Sequence, residues 1–463
     1  MSARSRIGIG IGMCAMVSLL GSNVVFAADA PAAAPTGTVQ ERLTALEAKT
    51  DAPGLWKTLG FQIRGGVSAT YARNFHNPVT NLNQLHTETA ETNTFSPRLA
   101  QVIVERVPVA EGSAMDRVGF RARINFGADA RVSRARTNYL PFQDNTELDV
   151  QELYAQYILP IGSGLTIGFG KFNTMLGNET FTSWENPNLT RTFNYNLAQA
   201  FTNTGLRLTY QVIPMVGLLF GVYNGWDNTQ DNNQSVLLEG ALTLTNFDGR
   251  LTNYFYTSWG PEQSNGRGGA GVFGATGGTS TDPVSPSCSI PGGGVGQIGG
   301  TGCDASAKRF ELDYIGTAKV TDKDTIILEL HYGNESNASA SRALAGQSPN
   351  ARWNAAVLYL NHDFNDQWSL RIRPELFEDA GGARTCSGGV SFNAGNNTCS
   401  KAVPAGTAQT LWEVTNTLEY RVTPALITRT EFRYDKSNKN AFLDGARPSN
   451  NQETLFFNVV YLF

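Results

Sequence analysis

Charge is scarce in this 463-residue chain: Asp, Glu, Lys and Arg make up 16% of it, against roughly 25% in soluble domains. A disordered chain would carry more. Basic excess is missing as well. Lys and Arg number 36 against 40 acids, for a net charge of −4, and a nucleic-acid binder would be basic. Histidine is rare, at four residues, and His76, His86, His331 and His362 show no ligand spacing. The phosphate-loop, zinc-protease and nucleophile-elbow patterns do not occur. No catalytic residue, metal or cofactor is therefore expected. Asp227, Asn228, Asp231 and Asn232 are rich in oxygen but lack the ligand order and glycine of an EF-hand. After the first 27 residues no run approaches the ~18 apolar residues of a spanning helix.

What is present begins with an address. Arg4 and Arg6 precede an apolar stretch, Ile7 to Val25, and Val25-Phe26-Ala27 supplies a small-residue cleavage site. This is the pattern of a secretory signal, residues 1–27. Its removal takes away two arginines and no acid, leaving a net charge of −6. Residues 28–60 read as a periplasmic linker with a short amphipathic helix. Thr38 and Glu41 form a capping box, and Val39, Leu43 and Leu46 share one face before Pro53-Gly54. A chain that leaves the inner membrane and keeps no helix in it is bound for secretion or for the outer membrane.

From residue 61 to 463 the recurring period is two, not 3.6. At the C-terminus Leu455, Phe457, Val459, Tyr461 and Phe463 fall on one face, with Thr454, Phe456, Asn458 and Val460 on the other. In 367–376, Trp368, Leu370, Ile372 and Leu376 oppose Ser369, Arg371, Arg373 and Glu375. In 426–435, Leu426, Phe432 and Tyr434 oppose Arg429, Glu431, Arg433 and Asp435. In 119–126, Phe120, Ala122, Ile124 and Phe126 oppose Arg121, Arg123 and Asn125. Each segment is about as long as the ~9–11 residues of a tilted membrane strand. One apolar and one charged face suit a barrel with lipid outside and water inside. Trp353, Trp368, Trp412 and Tyr434 are expected at the two membrane interfaces. The alternating strand that ends on Phe463 resembles the C-terminal recognition strand of bacterial outer-membrane barrels, which makes Phe457, Val459, Tyr461 and Phe463 the expected signal to the barrel-assembly machinery.

About sixteen such segments can be counted. Short turns such as 160–164, 246–249 and 321–324 alternate with long loops at 76–97, 127–148, 173–201, 260–307, 334–350, 379–408 and 436–451. The expected fold is all-β: a transmembrane antiparallel β-barrel of a Gram-negative outer membrane, with a short N-terminal periplasmic helix. Cys288, Cys303, Cys386 and Cys399 lie in long outer loops. They are expected to form disulfides. Three pairings are possible; the near-neighbour one, 288–303 with 386–399, closes small loops.

Loop 173–201 follows the fifth segment. By analogy with general porins, which fold a loop at this position into the lumen, it is the expected constriction, with Glu179, Glu185 and Arg191 as its charges. Arg121, Arg123, Arg371, Arg373, Arg429, Arg433, Glu375 and Glu431 are expected to line the lumen.

The run LYAQYILP at 153–160 with GSGLTIGFGKFNTMLGNE after it, NPNLTRTFNYNLAQAFTNTGLRLTY at 186–210, and GVYNGWDN at 221–228 resemble the beta-barrel porin-2 (OmpL-like) family. The resemblance covers roughly 60–463. It implies an outer-membrane, porin-like barrel set in lipid. The expected activity is passive diffusion of small hydrophilic solutes or ions, without chemistry. General porins form trimers, so a homotrimer is expected by analogy. The alternative is a surface-display, adhesion or scaffold barrel without an open pore.

Overall fold

The computed structural model of the chain describes residues 60–133, 147–231, 233–263, 306–338, 348–385, 403 and 407–463. The expected signal segment, the 39–46 helix and Cys288, Cys303, Cys386 and Cys399 lie outside them.

Strands form where apolar and polar side chains alternate, because the pleat sends successive residues to opposite faces. They are β1 (Gln62–Asn74), β2 (Thr94–Arg106), β3 (Val118–Phe126), β4 (Leu148–Leu159), β5 (Leu165–Asn173), β6 (Thr202–Ile213), β7 (Val216–Trp226), β8 (Leu237–Thr245), β9 (Leu251–Pro261), β10 (Lys308–Lys319), β11 (Asp324–Glu335), β12 (Ala351–Asp363), β13 (Trp368–Asp379), β14 (Gln409–Arg421) and β15 (Leu426–Ser437). A small hairpin follows, β16 (Phe442–Asp444) and β17 (Arg447–Ser449), and β18 (Asn451–Leu462) ends the chain. Two short helices sit in loops, α1 (Ala130–Ser133) and α2 (Phe193–Ala198).

All of these strands except β16 and β17 close into one barrel, sixteen in number, and β1 pairs with β18 to seal it. Closure leaves no edge of unpaired N–H and C=O groups, which hydrocarbon would not tolerate. The seam ends on Phe463. Its N–H donates to Gly65 O at 3.0 Å, and its carbonyl accepts from Gly65 N at 2.9 Å. Glycine is needed there, since a Cβ on residue 65 would lie 2.8 Å from the Phe463 ring.

Two prolines mark irregularities. Pro97 sits inside β2. The β1–β2 register shifts between Ser68 and Ala69 to seat Pro97 opposite Ala69. Pro374 has no N–H to give β12, and the β12–β13 ladder is interrupted beside it, keeping one register from Val357–Glu375 to Leu360–Ile372 with no pair between.

The two faces separate as the alternation requires. Phe457, Val459, Tyr461 and Phe463 are exposed on the outside, while Thr454, Phe456, Asn458 and Val460 are buried within. Trp368 stacks on Tyr420 at 4.4 Å between ring centroids, and Trp412 meets Tyr434 at 5.3 Å, both on the outer surface. Trp353 departs from expectation. It is fully buried, because it shares the inward parity of Ala351, Ala355, Val357 and Tyr359 on β12. Both faces of β12 carry apolar residues, so the alternation there is weak. Its indole lies over Gly333, where a Cβ would come within 2.1 Å of Nε1.

Candidate functional site

The site is the barrel interior and the loop that enters it. The loop leaves β5 at Asn173 and rejoins the wall at Thr202, where β6 starts. It has no ladder to satisfy its backbone, so its polar groups must find other partners. Some are internal. Thr192 caps α2, accepting from Tyr195 N at 2.9 Å. The Glu179 carboxylate accepts from Thr192 N at 2.8 Å and from its hydroxyl at 2.9 Å. The Arg191 guanidinium donates to the carbonyls of Thr180, Leu189 and Phe181 at 2.8, 2.7 and 2.6 Å. Arg191 therefore staples its own loop and is buried.

The remaining partners are side chains of the wall. Glu431 on β15 accepts from the successive amides of Leu189 and Thr190 at 2.6 and 2.9 Å. Glu375 on β13 accepts from those of Phe193 and Asn194 at 2.6 and 2.7 Å. Glu329 on β11 accepts from the side-chain amides of Asn194 and Gln199 at 2.8 and 2.9 Å. Asp227, in the oxygen-rich run that follows β7, accepts from Phe201 N at 2.9 Å and Thr202 N at 2.8 Å. Charged hydrogen bonds of this kind each contribute about 1.5–3 kcal/mol.

Arginines grip the loop from the same side. Arg373 donates to Glu413 at 2.6 Å, to Glu179 at 2.7 Å and to Thr190 O at 2.6 Å. Arg433 bonds Asp435 at 2.6 Å and the Arg191 carbonyl, and its guanidinium lies 4.9 Å from the Phe193 ring centroid. Arg429 holds Glu419 at 2.7 Å and the carbonyls of Ser183 and Asn186 at 2.8 and 3.3 Å. Across the lumen Arg123 contacts Glu152 at 2.8 Å, Thr182 at 2.9 Å and Glu185 at 3.4 Å. Arg121 lies between Glu105 and Glu152, 3.4 Å from each. Arg371 pairs with Asp363 at 2.6 Å nearer the short-turn end.

The loop thus bonds to β2 and β3 on one side and to β11, β13, β14 and β15 on the other. Glu179 and Arg191 are buried in these contacts, whereas the Glu185 side chain keeps 29% of its surface exposed. Arg250, whose parity points inward, sits in the β8–β9 turn and pairs with Asp322 at 2.8 Å, largely in solvent.

A second inward element carries no sequence signature. Residues 82–90, between β1 and β2, are buried throughout. The His86 ring bonds Asp435 at 2.9 Å. Burial, with Arg433 nearby, holds the His86 imidazole below its ordinary value. Thr87 bonds Asn196 of the other loop. Few of these residues are charged or strongly apolar, so nothing in their pattern distinguishes them from an exposed loop.

A closed barrel of this size, apolar outside, charged inside and entered by a loop, defines the outer-membrane porin class. The family model "Putative beta-barrel porin-2, OmpL-like" matches residues 60–463. The chain belongs to this family, and its place is the bacterial outer membrane. Among curated proteins none matches it. Several solved barrels share its fold. OprB of Pseudomonas putida is 11% identical, with a TM-score of 0.52 and 88% of this chain and 95% of that one covered. The anion-selective porin of Comamonas acidovorans is 8% identical, with a TM-score of 0.51 over 87% and 99%. The outer-membrane channel DcaP of Acinetobacter baumannii is 11% identical, with a TM-score of 0.50 over 87% and 97%.

Proposed function

We propose that this porin works as a passive diffusion pore for small hydrophilic solutes and ions, with loop 174–201 as its constriction. No bond is made or broken, and no cofactor takes part. The observation that carries the reading is the fastening of the loop. Wall carboxylates hold its backbone amides and wall arginines hold its carbonyls, so the aperture it leaves has a fixed size and charge. Glu185, part-exposed beside the buried Arg123, is the loop charge best placed to meet a solute. Rings and pairs of wall charge select ions by sign. The outward aromatic strand Phe457, Val459, Tyr461 and Phe463 is the surface offered to the barrel-assembly machinery, and a homotrimer is its assembly. Disulfides among Cys288, Cys303, Cys386 and Cys399 tie the outer loops.

The rival reading, a surface-display or scaffold barrel without an open pore, has one observation in its favour. Loop 174–201 and residues 82–90 together bury much of the wall near the long-loop end. Single-channel current of the refolded chain in a planar bilayer separates the two. Steady conductance steps are expected, together with a reversal potential in a KCl gradient. A folded, heat-modifiable barrel that passes no current would overturn the pore and leave the scaffold.

A further inference from the structure

We propose that Glu311, Asp313 and His331, on the inward faces of β10 and β11, hold a hydrated divalent cation of the Mg2+ kind. Glu311 and Asp313 are two residues apart and so share the inward face of β10. His331 is directly opposite Asp313 in the β10–β11 register. All three are buried, at 0%, 0% and 3% exposure. His331 Nε2 lies 3.7 Å from a Glu311 oxygen, and Nδ1 lies 3.8 Å from an Asp313 oxygen. Both distances exceed a hydrogen bond. None of the four carboxylate oxygens and neither ring nitrogen has a hydrogen-bond partner. The Gly177 amide of the inward loop points toward Asp313 without closing a bond.

The nearest guanidiniums, Arg309 and Arg384, reach Glu311 only through space. Glu329 stands close enough to repel Asp313. Arg309 is taken by Glu335 at 2.7 Å and by the Trp226 ring, whose centroid is 4.3 Å away. Arg384 stacks between Trp226 and Trp353 and donates to Leu197 O at 2.6 Å. A protonated His331 would bring one positive charge against two negative ones. Unpaired buried carboxylates cost several kcal/mol each on the order-of-magnitude scale for buried ions, a cost that is removed by taking up either protons or a countercharge from outside.

The class of ion follows from the spacing. Among the described residues no three His, Asp, Glu or Cys groups are close enough to clamp a bare metal ion. An ion that keeps most of its water and takes only one or two carboxylates is Mg2+-like. The unpartnered imidazole then bonds to that water shell. For binding, the proposal stands apart from the pore reading. Its consequence, a preference for cations in transit, rests on that reading.

The test is Mg2+ binding to the refolded full chain by equilibrium dialysis and by thermal unfolding, with NaCl of equal ionic strength as the control. One saturable Mg2+ site is expected. The double variant Glu311→Gln with Asp313→Asn is expected to weaken it at least tenfold and to shift the KCl reversal potential away from cations. Should the double variant not fold, His331→Gln is the second probe, with an expected loss of several-fold. Wild-type binding no greater than that of a folded variant overturns the site. Mg2+ binding with a silent bilayer supports the site and overturns the pore. A conducting channel without specific Mg2+ binding overturns the site alone.

Discussion

The wall of β13 to β15 and the patch of wall around Glu311 and Asp313 on β10 handle inward charge in opposite ways. On the first, Arg373, Arg429 and Arg433 each touch an acid and at least one loop carbonyl. Glu375 and Glu431 each accept from two loop amides. Every one of these charges is spent on holding the inserted loop. On the second, Glu311 and Asp313 are equally buried, and the His331 ring approaches them only to 3.7 and 3.8 Å. The same alternation of side chains builds both walls. Whether a charge holds the loop or is left without a hydrogen-bond partner depends on what the loop brings across to it.

The comparison can be broken most forcefully at Arg373. Arg373→Ala leaves Glu413 and Glu179 buried without their partner, a loss expected at about 3–5 kcal/mol. Urea unfolding followed by tryptophan fluorescence would read it, and the released loop should raise single-channel conductance. An unchanged midpoint together with unchanged conductance would mean that the loop is not held from this wall.

A smaller effect is expected at the carboxylates. Glu431→Gln keeps one acceptor but loses the charge beneath Leu189 and Thr190, a change of about 1.5–3 kcal/mol. Flickering current, with the barrel's unfolding little altered, is the signature to look for. Glu375→Gln should behave alike. If only one of the two flickers, the loop has a single anchor point rather than two.

The next test lies where the loop residues Glu91 and Asp129 meet Arg98 of β2 and Arg131 of α1. Burial pushes the Asp129 carboxyl up to about 7, against the pull of Arg98. Burial also opposes ionisation of Glu91, yet Arg98 and Arg131 hold its carboxyl down to about 2. A raised acid lets the folded state bind more protons than the unfolded chain, so stability falls as pH rises from 3.8 to about 7. A lowered acid does the reverse, and stability is lost as pH falls from 4.5 to about 2. Amide exchange in 128–133, corrected for its intrinsic rate, should be slowest where the two windows overlap, between pH 3.8 and 4.5. Asp129→Asn should flatten the upper limb alone.

The smallest effect is expected at Arg250, paired with Asp322 where the two side chains are 47% and 91% exposed. Solvent and salt screen such a pair. Arg250→Ala should leave unfolding and conductance unchanged. A measurable loss there would show that wall charge in this barrel is not graded by burial.

Much of this organisation is legible in the residues themselves. The alternation in 409–422 puts Glu413, Thr415, Thr417 and Glu419 opposite Trp412, Val414, Leu418 and Tyr420, and the structure separates them in that way. The hairpin of β16 and β17 is not legible, because its strands are three residues each and too short for a period to show. Trp353 is misplaced for a related reason, since a weak alternation on β12 leaves its face undecided. Glu311 and His331 are legible only as residues of two of the alternating segments. Nothing local says that one lacks a donor while Glu431, of the same parity, has three.

By itself the sequence determined the barrel, its strand number and the inward or outward sense of most side chains. A period of two is a local property, and pairing consecutive strands through short turns needs no distant information. Only the tertiary structure decided which charges are consumed. Glu179 meets Arg373 across 194 residues of chain, and Leu189 meets Glu431 across 242. Such contacts depend on how a loop crosses a closed cylinder, and no alternation of residues along one strand records what lies on the other side.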